Sequence, residues 1–595
     1  MNTAEAIKTK KERNLLIIDF EVFGNAKFWL CCIKDARTKE EYKIINNRKQ
    51  LINFYNEHMD SIWLGYNIRG YDQWIFKAIL ANISPFQVSN LIIKKKVDPW
   101  KIDKRLNKYN INFFELGNKD KSLKELELFM GESIEESSVP FELDRFPTIQ
   151  EINEIVDYCM HDVNMTLKVF EFRKEDFESQ EFLIDFFNLK DSSFSKTKAQ
   201  LSAYILGAKK PKVKRNDEFD FEIVDTIRLS KYKHIMDWYK NYDNRDYKKS
   251  LSTTVYGTKI EFKWGGAHAA KEQYNAEGFI VNSDVASFYP ALMIEYNMLS
   301  RNVENPDKFK EIRRVRLEFK KVKNKKEKSF KIVLNSTFGA SKDERNELYD
   351  PQRANAICVN GQLMLLDLIE KVELKFGDRA EFIQANTDGV MFKFKYKEDI
   401  DAYMEICKEW SSRTRMELEH DKIKKISQKD VNNYIYIKED GSIKSKGAYV
   451  KKLSPIDNDL PIVNKALINK IVYDIDIRET VEKATNLIDF QKNIKISKEY
   501  SHALHGGEKH DLKVFRVFAS NKNTDGYLLK VRENGAVERI GNTPQRCFIL
   551  NSNIQKKAIP SNLDREWYID LAEKRLESFI PDCMYGETLF DMLSI

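Results

Sequence analysis

Leu15-Leu16-Ile17-Ile18 is an unbroken apolar run of strand length, and it predicts a buried strand leading into Asp19-Phe20-Glu21. A second strand is predicted from Phe28 to Ile33. A third, Trp63-Leu64-Gly65-Tyr66, leads through Asn67 to Tyr71-Asp72 and a helix from Gln73 to Leu80. Ile149, Ile152, Ile155, Val156, Val163, Leu167 and Phe170 recur at helical spacing behind Thr148, with Glu151 three residues after it as a capping box. That helix carries Tyr158 and Asp162. Strands and helices mixed in this way over about the first 175 residues predict one α/β domain.

Beyond it, the charged, turn-rich stretch 209–220 predicts a linker. A strand from Gly278 to Ser283 is predicted to end at Asp284. Two helices are predicted between Asp307 and Phe338, divided by a lysine-rich turn near Asn324. Glu381 to Ala385 and Val390 to Phe394 flank Asn386-Thr387-Asp388-Gly389, a hairpin with Asp388 near its tip. A second hairpin is predicted from Tyr434 to Tyr449, turning at Asp440-Gly441. The chain shows no internal repeat, and its last stretch is mixed, with no catalytic cluster in its sequence.

Composition narrows the classes. A chain of 595 residues corresponds to roughly four structural units at about 150 residues each. No run approaches the roughly 18 to 20 apolar residues of a membrane span, and Met1 to Arg13 is too polar for a signal peptide, so membrane and secreted readings drop out. The 7 cysteines form no CxxC pair, which argues against zinc ribbons and disulfide frameworks and places the chain in a reducing cytoplasm. A net charge of +7 permits a polyanionic partner without proving one. The lysine runs at 94–96, 209–215 and 320–328, each taken singly, read more readily as solvated loops.

Candidate chemistry lies in two sets of acids. Asp19 and Glu21 alternate along a strand and so share a face, and Tyr158 and Asp162, four apart, share a helix face. With Asp72 they offer four carboxylates and a tyrosine, a set of hard oxygen ligands that suits Mg²⁺ or Mn²⁺. Two such ions activate a water and stabilise the leaving oxygen in phosphodiester hydrolysis. Taken alone, Asp19-Phe20-Glu21 reads more readily as surface acids at a strand end.

The segments "IIDFE", "YNIRGYD" and "YCMHD" resemble, in order and context, the three exonuclease motifs of DEDDy 3'–5' proofreading exonucleases, and "KSLKELELFMG" resembles the helix such domains carry between the second and third. The resemblance implies that Asp19, Glu21, Asp72 and Asp162 hold two metals, that Tyr158 orients the attacking water and that Asn67 touches the primer's terminal nucleotides. Histidine-type relatives place their histidine five residues before the last aspartate, so His161 reads as structural, like Cys159.

Downstream, Asp284 to Pro290 (DVASFYP) resembles motif A of family B DNA polymerases, Lys331 to Gly339 (KIVLNSTFG) motif B, and Asn386 to Gly389 motif C. The resemblance covers most of residues 15–450 and is greatest to compact bacteriophage enzymes. It implies an α/β and α+β multidomain chain: a ribonuclease H-like 3'–5' exonuclease domain over 1–190, connecting helices over 191–250, and a right-hand polymerase. In that hand the palm spans 251–300 and 341–451, the fingers 301–340 and the thumb 452–595.

It further implies that Asp284 and Asp388 bridge two Mg²⁺ or Mn²⁺ ions, roughly 3.5 to 4 Å apart, for nucleotidyl transfer. Lys331 and Asn335, with Arg316 and Lys320 on the preceding helix, would grip the triphosphate, and Ser287 would contribute to it. Tyr289 would stack under the incoming sugar and exclude a ribose 2'-OH. Phe262 to Gly266 resembles the YxGG element, which implies template contacts at Gly265 and Gly266. An ordinary turn remains the other reading of that segment.

The sequence also departs from the family pattern. Asn386 replaces the first aspartate of motif C, Phe338 replaces a tyrosine of motif B, and Val431-Asn432-Asn433-Tyr434 lacks the lysines of the KKRY element. Lys446, on the partner strand of that hairpin, would then supply a primer contact, a solvated lysine being the other reading. Asp284 and Lys331 are 47 residues apart and Asn335 and Asp388 are 53 apart, spacings without room for the insertions of protein-primed relatives.

Extension of a free 3'-OH on primer–template DNA with dNTPs is therefore expected, by a monomer, with no terminal-protein priming. A helicase, single-strand-binding protein or clamp would be its partners in a host bacterial cytoplasm. About 18 residues precede the first exonuclease motif, which leaves no space for a further N-terminal domain, and the C-terminal "FDMLSI" resembles a clamp-binding tail only in its apolar end. The segment "HGGEKHDLKVFRVF" reads evenly as phosphate contact or as core. The competing readings are an exonuclease with a decayed polymerase site, motivated by Asn386 and Asn432-Asn433, and a non-catalytic DNA-binding protein.

Overall fold

A computed structural model describes residues 12–117 and 120–580. Most of the Met1 to Arg13 stretch, Cys583 and the C-terminal "FDMLSI" lie outside the described residues. The chain forms two compact units. One comprises residues up to Thr197 with Leu453–Pro461 and Thr485–Asp564; the other comprises Lys198–Lys452, Ile462–Ala484 and the chain from Arg565 onward. The six described cysteines are free and buried. Among the described residues no helix is long and apolar enough to cross a membrane.

The first unit is built on a sheet of five strands, β1 (Leu15–Phe23), β2 (Phe28–Asp35), β3 (Glu41–Ile45), β4 (Ile62–Gly65) and β5 (Phe113–Glu115), in the order 3-2-1-4-5. β1 runs antiparallel to β2 and parallel to β4, which is parallel to β5. Helices α1 (Arg48–Glu57), α2 (Asp72–Leu80), α3 (Pro85–Ile93) and α4 (Pro99–Ile102) precede β5; α5 (Leu123–Met130), α6 (Ile149–Phe172) and α7 (Lys174–Phe186) follow it.

Because both faces of β1 are covered, its apolar run is continuous. Leu16, Ile18 and Phe20 pack with Trp63, Ile75 and Phe76, whereas Ile17 and Phe23 pack with Ile155, Val156, Cys159 and Val163 of α6. Period-2 alternation then places Asp19 and Glu21 on the α6 side. The capping boxes at Thr148/Glu151 and Ser122/Glu125 are both formed, fixing the start of α6 and of α5 at about 1 kcal/mol per cap.

Residues 485–564 add two small sheets to this unit, Lys492–Lys495, Val514–Ala519 and Cys547–Ile549 in one, and Tyr500–His505, Glu508–His510, Leu528–Arg532 and Val537–Arg539 in the other. The alternative left open for "HGGEKHDLKVFRVF" divides within the segment. Val514 to Phe518 is buried, Arg516 included, while Gly506 to Lys509 is exposed. Of the stretch from residue 452 onward, 485–564 packs with the first unit.

The second unit contains a nine-stranded antiparallel sheet. Its strands are β6 (Ser250–Val255), β7 (Thr258–Lys263), β8 (His268–Ala270), β9 (Tyr274–Val285), β10 (Ala380–Asn386), β11 (Gly389–Phe394), β12 (Leu418–Asp430), β13 (Asn433–Lys438) and β14 (Ile443–Lys446), in the order 14-13-12-9-11-10-8-7-6. Its helices include α8 (Lys198–Leu206), α9 (Lys233–Lys240), α10 (Phe288–Glu295), α11 (Asp307–Lys321), α12 (Glu327–Ser341), α13 (Pro351–Phe376) and α14 (Asp399–Thr414). β9 is longer than its apolar core predicts, so Asp284 lies inside the strand and not beyond its end. Pairing with both β11 and β12 extends the strand past the hydrophobic run.

Candidate active sites

In the first unit, one carboxylate oxygen each of Asp19, Glu21 and Asp162 lies within 4.8 Å of the others. β1 supplies the first two and α6 the third. Asp72, the first residue of α2, is buried and accepts a hydrogen bond from Phe20 N at 3.3 Å, which orients it beside the same strand. Burial, then the charge of Asp162, pushes the Asp19 carboxyl up to about 7. Glu21 and Asp72 are held well above the ordinary carboxylate range by burial and then by Asp19, and Asp162 is raised by burial. Carboxylates so crowded resist carrying their charges together, so the donor set fits a hard divalent cation.

Tyr158 lies one helical turn before Asp162 on α6. Its hydroxyl is held protonated by burial and by the negative charges of Asp162, Glu21 and Asp19. A neutral phenol beside four acids is suited to donating a hydrogen bond to an oxygen. Asn67 sits in the left-handed region at φ 66° between β4 and α2, its backbone N–H donating to Glu115 Oε1 at 2.8 Å.

Sequence reasoning missed Lys124. Its ammonium donates to Asp162 Oδ1 at 2.8 Å and lies 4.7 Å from the centre of the Tyr158 ring. Burial opposes the charge, but Asp162 and Glu127 outweigh it and raise the lysine's pKa. The visible signal was position, since Lys124 falls in the helix "KSLKELELFMG".

In the second unit, β9 and β11 set Asp284 opposite Gly389, and Val285 N–H donates to the Asp388 carbonyl at 2.6 Å. Asp388 occupies the two-residue turn between β10 and β11, where its side chain is open to solvent on one side. The protein packed around that turn, and then the charge of Asp284, raise its carboxyl above the usual range. Two close carboxylates, one on β9 and one in the turn beside it, again fit a divalent cation. Asn386 pairs with Gly389 across the same turn, and its side-chain oxygen accepts from Thr387 N–H at 3.1 Å.

The residues expected around the triphosphate are divided. Ser287 stands at φ 53° at the start of α10, and Arg316 of α11 donates to its hydroxyl and to Glu327 Oε2, the latter at 3.1 Å. Arg316 is thereby buried. Lys320 is paired with Glu419. Lys331 and Asn335, one turn apart on α12, are exposed. Tyr289 of α10 packs on Phe338 of α12 with ring centres 4.3 Å apart. Gly265 and Gly266 lie in the open turn between β7 and β8, where a Cβ would meet nothing within 4 Å.

Beside Asp284, β12 places Glu419 directly across the strand. β14 brings Lys444 to 3.6 Å from Asp284 Oδ2 and 3.8 Å from Asp421 Oδ2. Lys444 lies 5.6 Å from the ring centre of Tyr436 and Lys446 lies 6.0 Å from that of Tyr434, the two rings being stacked and parallel within 1°. Burial and Asp284 raise the Asp388 carboxyl, and Lys446 and Lys444 both act to lower it. Glu419, Asp421 and Lys444 escaped the sequence reading, although the alternation of Glu417, Glu419 and Asp421, and of Lys444 with Lys446, was a visible period-2 signal.

No protein-family model matches this chain, and no curated protein does. Among solved structures, the chain is similar to that of the family B DNA polymerase from the hyperthermophilic archaeon Pyrobaculum calidifontis. The likeness covers 96% of this chain and 78% of that one, at 14% identity and a TM-score of 0.42.

Proposed function

We propose that the protein is a template-directed DNA polymerase with a built-in 3'–5' proofreading exonuclease. The observation that carries this reading is the presence of two separate carboxylate centres, one in each unit, each assembled from the acids of a distinct set of sequence motifs: Asp19, Glu21 and Asp162 in the first, and Asp284 and Asp388 in the second. The strand order 3-2-1-4-5 with acids on its central strand supports a ribonuclease H-like exonuclease domain. The antiparallel sheet carrying Asp284 and Asp388, beside the helix pair α11 and α12, supports a palm with short fingers.

When bound at either centre, a pair of Mg²⁺ or Mn²⁺ ions supplies phosphate charge neutralisation and a more acidic attacking oxygen. The chain's own groups do the rest. In the second unit Asp284 and Asp388 hold the cations, while Lys331 and Asn335 face the solvent from one side of α12, where they bind a triphosphate. Arg316, buried and fixed by Glu327, holds the Ser287 hydroxyl in place. Tyr289, braced by Phe338, presents a rigid aromatic surface to the nucleotide sugar and excludes a 2'-OH. Lys444 and Lys446 place positive charge beside Asp284 and Asp388, where a primer phosphate is favoured. In the first unit Asp19, Glu21, Asp72 and Asp162 hold the cations, Tyr158 donates a hydrogen bond to the attacking water, and Asn67 contacts the primer end.

The substrates are a primer–template with a free 3'-OH and dNTPs. The test uses a 5'-labelled primer–template, Mg²⁺ and all four dNTPs, with primers resolved by length. Full-length extension supports the polymerase, and shortening at saturating dNTPs favours an exonuclease with a decayed synthetic site, the reading motivated by Asn386. Binding without any change of length favours a non-catalytic DNA-binding protein.

A further inference from the structure

Next to the acids of the first unit is a group of side chains that excision chemistry does not employ. Glu127 of α5 is fully buried, and neither of its carboxylate oxygens has a hydrogen-bond partner. His161 Nε2 is enclosed and has none either, standing 3.7 Å from Glu127 Oε2. One ligand atom each from Glu127, His161 and Asp162 lies within 4.8 Å of the others. Burying a carboxyl group without hydrogen bonds is unfavourable, and interiors rarely leave one in that state.

Positive charge is already favoured at this point. Lys124 Nζ lies 2.8 Å from Asp162 Oδ1 and 3.6 Å from Glu127 Oε1, between the two carboxylates. At 3.6 Å it forms no hydrogen bond to Glu127, so Glu127 Oε2 and His161 Nε2 are left facing each other beyond hydrogen-bond distance. The second imidazole nitrogen, Nδ1, is 3.6 Å from Glu135 Oε2. A metal-ligating histidine characteristically turns its other nitrogen to a carboxylate, which fixes the tautomer and raises the basicity of the ligating one.

We propose that Glu127, His161 and Asp162 form a binding site for a divalent transition-metal cation of the Mn²⁺ or Zn²⁺ class. Glu135 sets a carboxylate behind the imidazole, 3.6 Å from Nδ1, and Lys124 is the resident counter-ion that yields to the metal. One imidazole with two carboxylates selects this class over Mg²⁺ and Ca²⁺, which favour oxygen throughout. The site shares Asp162 with the exonuclease reading and otherwise does not depend on it.

Mn²⁺ titrated into the full-length protein and examined by pulsed EPR provides the test, because a directly bound ¹⁴N modulates the electron spin echo. Asp19, Glu21, Asp72, Asp284 and Asp388 offer only oxygen, so a ¹⁴N coupling that disappears in His161→Gln marks this site. Glu127→Gln, which keeps the side-chain shape, is expected to lower the number of Mn²⁺ ions bound, and Lys124→Met to tighten binding severalfold by removing the competing ammonium. A wild-type spectrum without ¹⁴N coupling overturns the proposal, as does one whose coupling persists in His161→Gln; the cluster is then an ion-pair network of protonated His161 between Glu127 and Glu135. Failure of the exonuclease reading registers separately, as excision retained in Asp19→Ala, a change that touches neither Glu127 nor His161.

Discussion

Gly389 and Asp284 are cross-strand partners, and a Cβ placed on Gly389 would lie 2.0 Å from Asp284 Oδ1. The glycine is needed for the space that the carboxylate fills and not for an unusual backbone angle, since Gly389 has no positive φ. Gly389→Ala is therefore expected to displace the Asp284 carboxylate. The atom displaced is the free end of a side chain, so the fold is expected to adjust at little cost. Primer extension should fall by about a hundredfold, in line with the effect of an ångström-scale misplacement at a reacting centre. Thermal unfolding would change only slightly, and extension at the wild-type rate would show that the carboxylate is not where the chemistry occurs.

The two centres lie in different units, so their losses should separate. Asp388→Ala is expected to abolish extension while leaving excision intact, and Asp19→Ala to do the reverse. Single-turnover assays on one labelled primer read both activities. Loss of both in either variant, with the fold retained by circular dichroism, would contradict a two-site protein.

Lys77 is buried on α2, with its ammonium donating to Gln73 Oε1 at 2.9 Å and lying 4.5 Å from the centre of the Trp74 ring. Burial pulls its pKa down from 10.5 to about 8. Between these values the unfolded chain holds the proton and the folded chain does not, so stability rises with pH across that window and the full penalty is present below it. Lys77→Met is expected to stabilise the first unit by about 2 kcal/mol at pH 7. Thermal unfolding at pH 7 and pH 10 checks this, since the gain should shrink as pH rises from 8 toward 10.5.

Arg516 donates to the backbone carbonyls of Glu127, Leu128 and Glu132 at 3.3, 3.0 and 2.8 Å, and to those of Leu550 and Ser552 at 3.1 and 2.9 Å. Burial lowers its pKa to about 10. One guanidinium thus ties the 485–564 segment to the end of α5. Arg516→Met leaves those carbonyls short of donors and should cost roughly 3 kcal/mol. Arg516→Lys should recover little of it, because an ammonium lacks the planar fork. Differential scanning calorimetry of the full chain would register the loss as a lower first transition.

Local patterning made several of these elements legible. The unbroken apolar run of β1 and the capping box before α6 gave both the strand carrying Asp19 and Glu21 and the helix carrying Tyr158 and Asp162. The hairpin holding Asp388 followed from a turn sequence between two apolar runs. These features depend on residues two to four apart, whose side-chain directions the backbone period settles. Glu127 and Lys124 were less visible, because nothing in "KSLKELELFMG" tells which of its acids or lysines the packing of α5 on α6 will enclose. Lys444 meets Asp284 only through the pairing of β14 with β13, β13 with β12 and β12 with β9, with β-bulges shifting the register between β12 and its neighbours.

Sequence by itself determined the strand β1 and the face of it that carries Asp19 and Glu21, the capped helix α6 and the hairpin turn at Asp388, since each depends on short-range periodicity and residue chemistry. Tertiary structure alone decided that 485–564 packs with the first unit, that Arg316 is buried against Glu327, and that Glu127 and His161 face each other without a hydrogen bond. The physical reason is that these relationships come from strand register and helix packing between positions distant in the chain, where the energy of burial and charge depends on neighbours that no local pattern specifies.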